Sequence, residues 1–465
     1  MTEPTHTNDA APAPLSPSSP ASPRMPVDLL RHASRPRAGL RILYLCHRLP
    51  YPPDKGEKIR AFHQIRALSR RHRVSLLALS DGAVPDLAPL EAMCERVEVF
   101  PLSRPAGYVR AALGALRPRP LTLSFFESPE LAERVRELAR REHFDVAVVY
   151  CSAMAPYAAL VPEVPAVLDM VDVDSAKWAQ YSRFAPLPLR PVYALEARRL
   201  RRYEASLAGR FHRVVLATGN ETRLYKANAP AARAATVLNG VDVDFFQPLD
   251  LPKSAHPTLV FTGQMDYFAN VDAVTYFAHK IFPRLREQVP DVELLIVGRS
   301  PVPAVRSLGE LPGVQVTGAV GDVRPFLARA WVFVAPLRIA QGVQNKVLEA
   351  MASNVPVVAS ERVLAGIADG GFRSGRDLLA AASDEEYVRA IVRLIRDEPE
   401  RVRLAECARQ RLLATYRWAP NLDLFEDLVG AAARPPAGSA LPPVETKSED
   451  AAAASGGSAA EARRA

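Results

Sequence analysis

Lys346 and Glu349 stand three residues apart in the stretch 338–354, RIAQGVQNKVLEAMASN. On a helix that spacing puts both on one face. A cation near a helix start suits a phosphate, and a carboxylate one turn further in can accept a pair of hydrogen bonds from a ribose diol. Arg338, Gln341 and the backbone of Gly342, Val343 and Asn345 lie just ahead of them, where free N–H groups and the helix dipole favour an anion. The same Lys–Glu spacing also describes a surface ion pair on an ordinary helix.

The elements that would hold these residues are legible on either side. The apolar run 331–336, WVFVAP, reads as a buried parallel strand. A loop through Ala340, Gln341 and Gly342 follows. From about Val343 the apolar residues Val343, Val347, Ala350 and Met351 recur at helical spacing. Asn354 can take the left-handed cap conformation, Pro356 cannot prolong the helix, and 356–359, PVVA, opens the next strand. The unit is strand, glycine loop, helix, strand, with the helix start at the carboxyl edge of a sheet.

The rest of the chain repeats that rhythm. Its 465 residues, 48% of them hydrophobic, are enough for two or three domains with buried cores. Strands are expected at 41–46, 74–79, 97–100, 145–150, 166–170, 213–218 and 236–238, then at 258–262, 292–297, 314–317, 331–335 and 355–359. Helix-length segments separate them, which means doubly wound parallel sheets. The proline-marked stretch 247–257 divides the two series, giving an expected first domain at 38–250 and a second at 251–431. The Pro-, Ser- and Ala-rich ends, 1–37 and 432–465, read as disordered tails, and Met25 offers an alternative start. No apolar run reaches the roughly eighteen residues of a spanning helix, so a cytoplasmic protein is expected. Cys46, Cys94, Cys151 and Cys407 have no CxxC spacing, pointing to a reducing compartment and no cysteine-rich metal site.

Two D-x-D pairs, Asp172/Asp174 and Asp242/Asp244, each offer two close carboxylates of the kind that can hold a divalent metal. Asp174 is better read as the N-cap of a helix starting at Ser175, and Asp242 as part of the turn Asn239-Gly240-Val241-Asp242. No metal is expected. Asp172 is a candidate for facing the cleft.

The string GxxxKxxEAMAxxxPVVAS, 342–360, resembles the donor-site signature of family 4 (GT4) of the retaining glycosyltransferases, whose fold is GT-B: two Rossmann-like doubly wound domains facing a cleft. YLCHRLPYPPDKGEKIRAFHQIRALS (44–69), LDMVDVDSAKW (168–178) and FTGQMDYFANVDAV (261–274) narrow the likeness to transferases associated with exopolysaccharide and exosortase (PEP-CTERM) systems of Gram-negative bacteria. The resemblance runs from about Arg41 to about Trp418. It implies transfer of a sugar from a nucleoside-diphosphate sugar, with retention and without metal or other cofactor, to a glycan or polyprenyl-linked glycan. Lys346, Arg338 and Glu349 would be the catalytic groups. Gly263, Arg299, Gln341, Gly342, Val343, Asn345, Lys346 and Glu349 would hold the donor, and His47, Lys55, Gly56 and Asp172 the acceptor.

Two departures from the family stand out. Its E-x7-E pair would begin at position 341, where this chain has Gln, and the Arg and Lys that often follow the first strand of the second domain are missing after Gly263. A non-catalytic sugar-nucleotide-binding subunit and a GT-B epimerase are therefore the competing readings. Part of the formal net charge of +8 lies in 190–213, with seven Arg against two Glu, and a further stretch, 104–126, mixes Arg with Tyr108, Leu113, Leu116, Phe125 and Phe126. That surface suits either an anionic bilayer, placing the protein peripherally on the inner face of the cytoplasmic membrane, or solvent alone. No nucleic-acid motif accompanies the charge, and no GxGxxG opens either series.

Overall fold

A computed structural model describes residues 39–434; both expected tails lie outside the described residues, except for 432–434. The first sheet holds β1 (Arg41–Cys46), β2 (Arg73–Ser80), β3 (Arg96–Pro101), β4 (Val146–Tyr150), β5 (Ala166–Val171), β6 (Arg213–Leu216) and β7 (Ala234–Thr236). The second holds β8 (Thr258–Thr262), β9 (Glu293–Val297), β10 (Val314–Gly318), β11 (Val332–Ala335), β12 (Val357–Ser360) and β13 (Leu379–Ala381). The orders are β3-β2-β1-β4-β5-β6-β7 and β10-β9-β8-β11-β12-β13, and the paired strands are parallel. Strand order reverses between β1 and β4 in one sheet and between β8 and β11 in the other. Above those two points helices leave on opposite faces and open a crevice.

Strands rich in Val, Leu and Ile are covered on both faces, as parallel sheets require. Leu43, Leu45, Leu77 and Val149 of the first sheet point to one apolar layer, while Ile42, Tyr44, Leu76 and Val148 point to the other. Within the second layer lies Arg60, only 2% exposed, on the helix Gly56–Leu68. Its Nε donates to Asp169 Oδ2 at 2.8 Å, and its Nη1 donates to Asn239 Oδ1 at 2.7 Å and to the Val237 carbonyl at 3.0 Å.

The chain passes between the sheets twice. The first crossing follows β7. The second brings the final helix, Trp418–Ala433, back onto the first sheet, where Phe425, Val429 and Ala432 are buried with Tyr44 and Phe62. The crossings touch: Val241 N–H donates to the Tyr416 carbonyl at 2.8 Å, and a Cβ on Gly240 would overlap the Trp418 ring.

Several expected boundaries move. The helix expected from Val343 spans Asn345–Ala352, because 342–344 stay non-helical through a left-handed Gly342 (φ 62°) and an extended Gln344. The helix expected from Val271 begins earlier, as Phe268–Tyr276, and continues through a π-helical turn, Phe277–Ile281. The last strand of the first sheet is Ala234–Thr236 rather than 236–238, and β13 had no counterpart in the expectations. Asp174 is not an N-cap: the helix Asp174–Phe184 starts at it, with Val173 before it. Its carboxylate instead accepts from Ser152 Oγ at 3.4 Å. Asn354 does take the left-handed conformation (φ 58°) that ends its helix.

Candidate active site

The helix Asn345–Ala352 starts at the carboxyl edge of β11, and no side chain caps it. Its first turn is therefore open to an anion. Across the crevice stands the start of the first domain's leading helix: a Cβ on Gly56 would lie 3.6 Å from Asn345 Nδ2. Loops from the two reversal points thus meet.

Lys346 points toward β8. Its Nζ donates to the Asn270 side-chain oxygen and lies 4.5 Å from the centroid of the Phe261 ring. Gly263 leaves room for this arrangement, since a Cβ there would come within 3.1 Å of Nζ and 2.8 Å of Asn270 Nδ2. Burial lowers Lys346 to about 7, with Glu349 opposing the shift, and burial raises Glu349 to about 7, with Lys346 opposing it. Both residues keep part of their surface exposed, so water tempers the effect of burial on each.

The loop before the helix is held from the other domain. The Gln341 amide nitrogen donates to Glu221 Oε1, and its oxygen accepts from Gln180. The second Glu221 oxygen accepts the Val173 N–H at 2.6 Å, and burial with Asp172 nearby raises this carboxyl to about 8. Gly342 has no alternative at its position: its φ is 62°, and a Cβ would overlap the Asp172 carboxylate. Asp172 itself follows Val171, a β-branched residue at φ 67° in a register shift of β5. Backbone of that kind is strained and is held only by its surroundings; here the Val171 N–H donates to Asp169 Oδ1 at 3.2 Å. Asp172 Oδ1 is buried with no partner among the described residues, and burial raises the carboxyl to about 6.

The other candidates are placed differently. Arg299 reaches across the crevice to the Asp54 carboxylate at 2.8 Å. Arg338 is paired with Asp272 and stacks 4.4 Å over Tyr276 and 5.5 Å over Phe184, so much of its guanidinium is already engaged. His47 is buried between Tyr150 and Phe126, where burial lowers its pKa to about 4. It is a neutral ring whose Nδ1 has no partner among the described residues. Lys55 is half-exposed in the loop before Gly56. The structure thus brings Gly56, Asp172, Gly263, Gln341, Gly342, Asn345 and Lys346 into one crevice. It adds Asn270, Asp272, Gln180 and Glu221, which sequence reasoning missed. Asn270 and Asp272 lie inside the quoted stretch 261–274, whose helical phase was the available signal. Nothing local marks Gln180 or Glu221.

Residues 256–397 match the family model described as glycosyl transferases group 1. No curated protein sequence matches the chain. By structure the chain is similar to sucrose-phosphate synthase from Thermosynechococcus elongatus (TM-score 0.64, 16% identity, covering 84% of this chain and 100% of that one). It is also similar to Anabaena HepE in complex with UDP and glucose (TM-score 0.58, 14%, 84% and 100%). A third likeness is to α,α-trehalose 6-phosphate synthase from Burkholderia multivorans (TM-score 0.57, 13%, 85% and 99%). At these identities the likeness establishes the fold, which is GT-B.

Proposed function

We propose that this chain is a glycosyltransferase that moves a sugar from a nucleoside-diphosphate sugar to a hydroxyl of a glycan or lipid-linked glycan in bacterial exopolysaccharide synthesis, with retention and without metal. The observation that carries this reading is the uncapped helix start at Asn345, with Lys346 and Glu349 on its crevice side, facing the Gly56 loop of the other domain. The match of 256–397 to a glycosyltransferase family model and the UDP bound by the similar Anabaena protein support it.

In this reading the donor diphosphate lies on the helix start, between Gly263 and Gly342, where Lys346 and the backbone dipoles stabilise the charge that grows as the glycosidic bond breaks. Arg338 adds to that field when it exchanges the Asp272 carboxylate for the diphosphate. Glu349 holds the ribose, and Asp172 with the Gly56 loop faces the acceptor side. The departing phosphate takes the acceptor proton. The Glu221 and Gln180 bonds to Gln341 close the crevice over the sugar. A second reading, a binding subunit without turnover, draws on the same observation: the Gln341 amide is taken at both ends by the opposite domain and has little left for a sugar.

The first test is a thermal-shift screen against UDP-, GDP- and ADP-sugars. One donor should raise the midpoint by mass action, and Lys346→Ala and Glu349→Ala should each abolish that shift in a chain that still melts cooperatively. A donor shift that survives both substitutions would put the nucleotide elsewhere. Turnover of the stabilising donor with a hydroxyl acceptor then separates the enzyme from the binding subunit.

Donor affinity should also be bell-shaped in pH, with its maximum near 7. The site needs Lys346 charged and Glu349 ionised. Lys346, lowered to about 7, loses its proton as pH rises through that value, so affinity falls on the alkaline side. Glu349, raised to about 7, gains a proton as pH falls through it, so affinity falls on the acid side. The two limbs belong to the pair. A calorimetric titration from about pH 5.5 to 8.5 reads the profile, and a flat curve would remove these two groups from the donor site.

A further inference from the structure

The two basic stretches marked in the sequence are neighbours in space. Glu196 accepts from the Leu121 and Thr122 N–H groups at 2.7 and 2.8 Å, and Arg199 donates to the Ala115 carbonyl at 2.8 Å. These bonds seat the helix Arg190–Ser206 against the end of the helix Arg104–Gly114. They also sort the arginines. Arg110, Arg190 and Arg199 spend their donors on backbone carbonyls.

Arg198, Arg201 and Arg202 have no hydrogen bond or ion pair among the described residues. All three line an open groove of about 460 Å³ between the helices Asp174–Phe184 and Arg190–Ser206, whose remaining walls are small: Ala179, Ser182, Ala194 and Ala197. Three free guanidinium groups over a floor of methyl groups suit an oxyanion such as a phosphate. Large apolar side chains are exposed on the same elements: Leu187 (73% exposed) in the link between the two groove helices, Val192 and Leu195 on the helix Arg190–Ser206, and Leu113 and Leu116 (94%) flanking in sequence the Ala115 whose carbonyl takes Arg199. A soluble phosphate gives these no reason to be exposed. A bilayer does, because its headgroups meet the cations while its acyl boundary receives isolated leucines.

We infer that this face is a docking surface for an anionic phospholipid bilayer, with a lipid headgroup phosphate in the Arg198–Arg201–Arg202 groove and Leu113, Leu116 and Leu187 entering the interface. The inference rests on the reading above that the acceptor is carried on a lipid, and it names the surface that would meet it. The groove is walled by the back of the helix whose other side chains, Gln180 among them, hold the donor loop. Docking would therefore set the crevice at a fixed height over the membrane.

The test is co-sedimentation of the full chain with vesicles of phosphatidylcholine alone and of phosphatidylcholine mixed with phosphatidylglycerol. The expected result is pelleting only with the mixed vesicles, weakened by salt. Arg198→Gln/Arg201→Gln/Arg202→Gln should reduce partitioning by about a hundredfold, on the order expected for three cations at an anionic surface. Leu113→Ser/Leu116→Ser should reduce it independently at constant charge. The nucleotide thermal shift of each variant, unchanged, shows that the chain is folded and its donor site intact. Vesicle binding needs no donor, so it can fail while the glycosyltransferase reading stands, and the reverse. Equal pelleting with neutral vesicles, or wild-type partitioning by the triple variant, would overturn the proposal. A concentration-dependent dimer that the substitutions dissolve would assign the face to a second copy of the chain instead.

Discussion

Gln341→Glu should lower kcat/KM, relative to wild type at the same pH, by on the order of a hundredfold once the pH is well above the Glu221 value of about 8, and adding Glu221→Gln to that variant should restore most of it. The substitution would give the loop the carboxylate that the E-x7-E pattern has at this position, yet here it lands against Glu221, only 1% exposed and already bonded to Val173 N–H. Like charges held together in such a site cost several kcal/mol. Glu221 is raised to about 8 before any second carboxylate arrives, and a second one raises the pair's upper step further. As pH falls through that step the pair shares a proton and the defect fades; above it both ionise and the loop is pushed from the opposite domain. The loss therefore grows with pH. Glutamine at 221 could donate to the new carboxylate, reversing the original bond. Steady-state kinetics of both single variants and the double variant across pH make the comparison. A Gln341→Glu enzyme as active as wild type at alkaline pH would show that the 221–341 contact plays no part in the working state.

Arg60→Met should destabilise the first domain by about 3–5 kcal/mol, the usual result of stripping one partner from a buried ion pair. Asp169 is fully buried, and without Arg60 it keeps only the Gln64 amide and the Val171 N–H. That leaves a buried carboxylate short of its main donors, which is the source of the loss. Arg60→Met/Asp169→Leu should recover a large part of it, because the pair is costly to break but not costly to remove as a unit. Urea midpoints of the three chains settle the matter, and a loss below about 1 kcal/mol for Arg60→Met would mean that Asp169 finds other donors. The effect should reach the crevice as well, since Asp169 holds the strained Val171 that precedes Asp172.

Much of this architecture was open to reading in the residues, and the reasons differ by element. Strands such as Ile42–Leu45 and Val332–Val334 are continuous apolar runs bounded by helix-length segments, a pattern with few other solutions. The donor loop declared itself because its chemistry is local: Gly342, Lys346 and Glu349 lie within two helical turns. What sequence could not supply was contact across distance. Glu221 and Gln341 are separated by 120 positions and Arg60 and Asp169 by 109, and nothing in the local sequence around either member of a pair names the other. Gln341 was legible as a departure, but its reason was not, because the reason sits on the other domain. Asp174 satisfies every local rule for an N-cap, yet the Glu221 carboxylate already takes the Val173 N–H and the Glu204 carboxylate the Ser175 N–H at the same helix start. The three-residue β13 has too few side chains to show any period.

The paired crossings between the sheets have a mechanical consequence. A single tether would let one domain swing in any direction about the other. Two strands of chain fastened side by side, with Val241 N–H on the Tyr416 carbonyl and Trp418 over Gly240, behave as the two knuckles of a door hinge. They resist sliding and twisting and leave one soft rotation. Every point of the crevice then moves on an arc whose length grows with its distance from that fastening. A few degrees of turn there displace the Gly56 and Asn345 loops together, as one jaw against the other. The register of Gln341 on Glu221 is thereby set by the hinge rather than searched for at each closure.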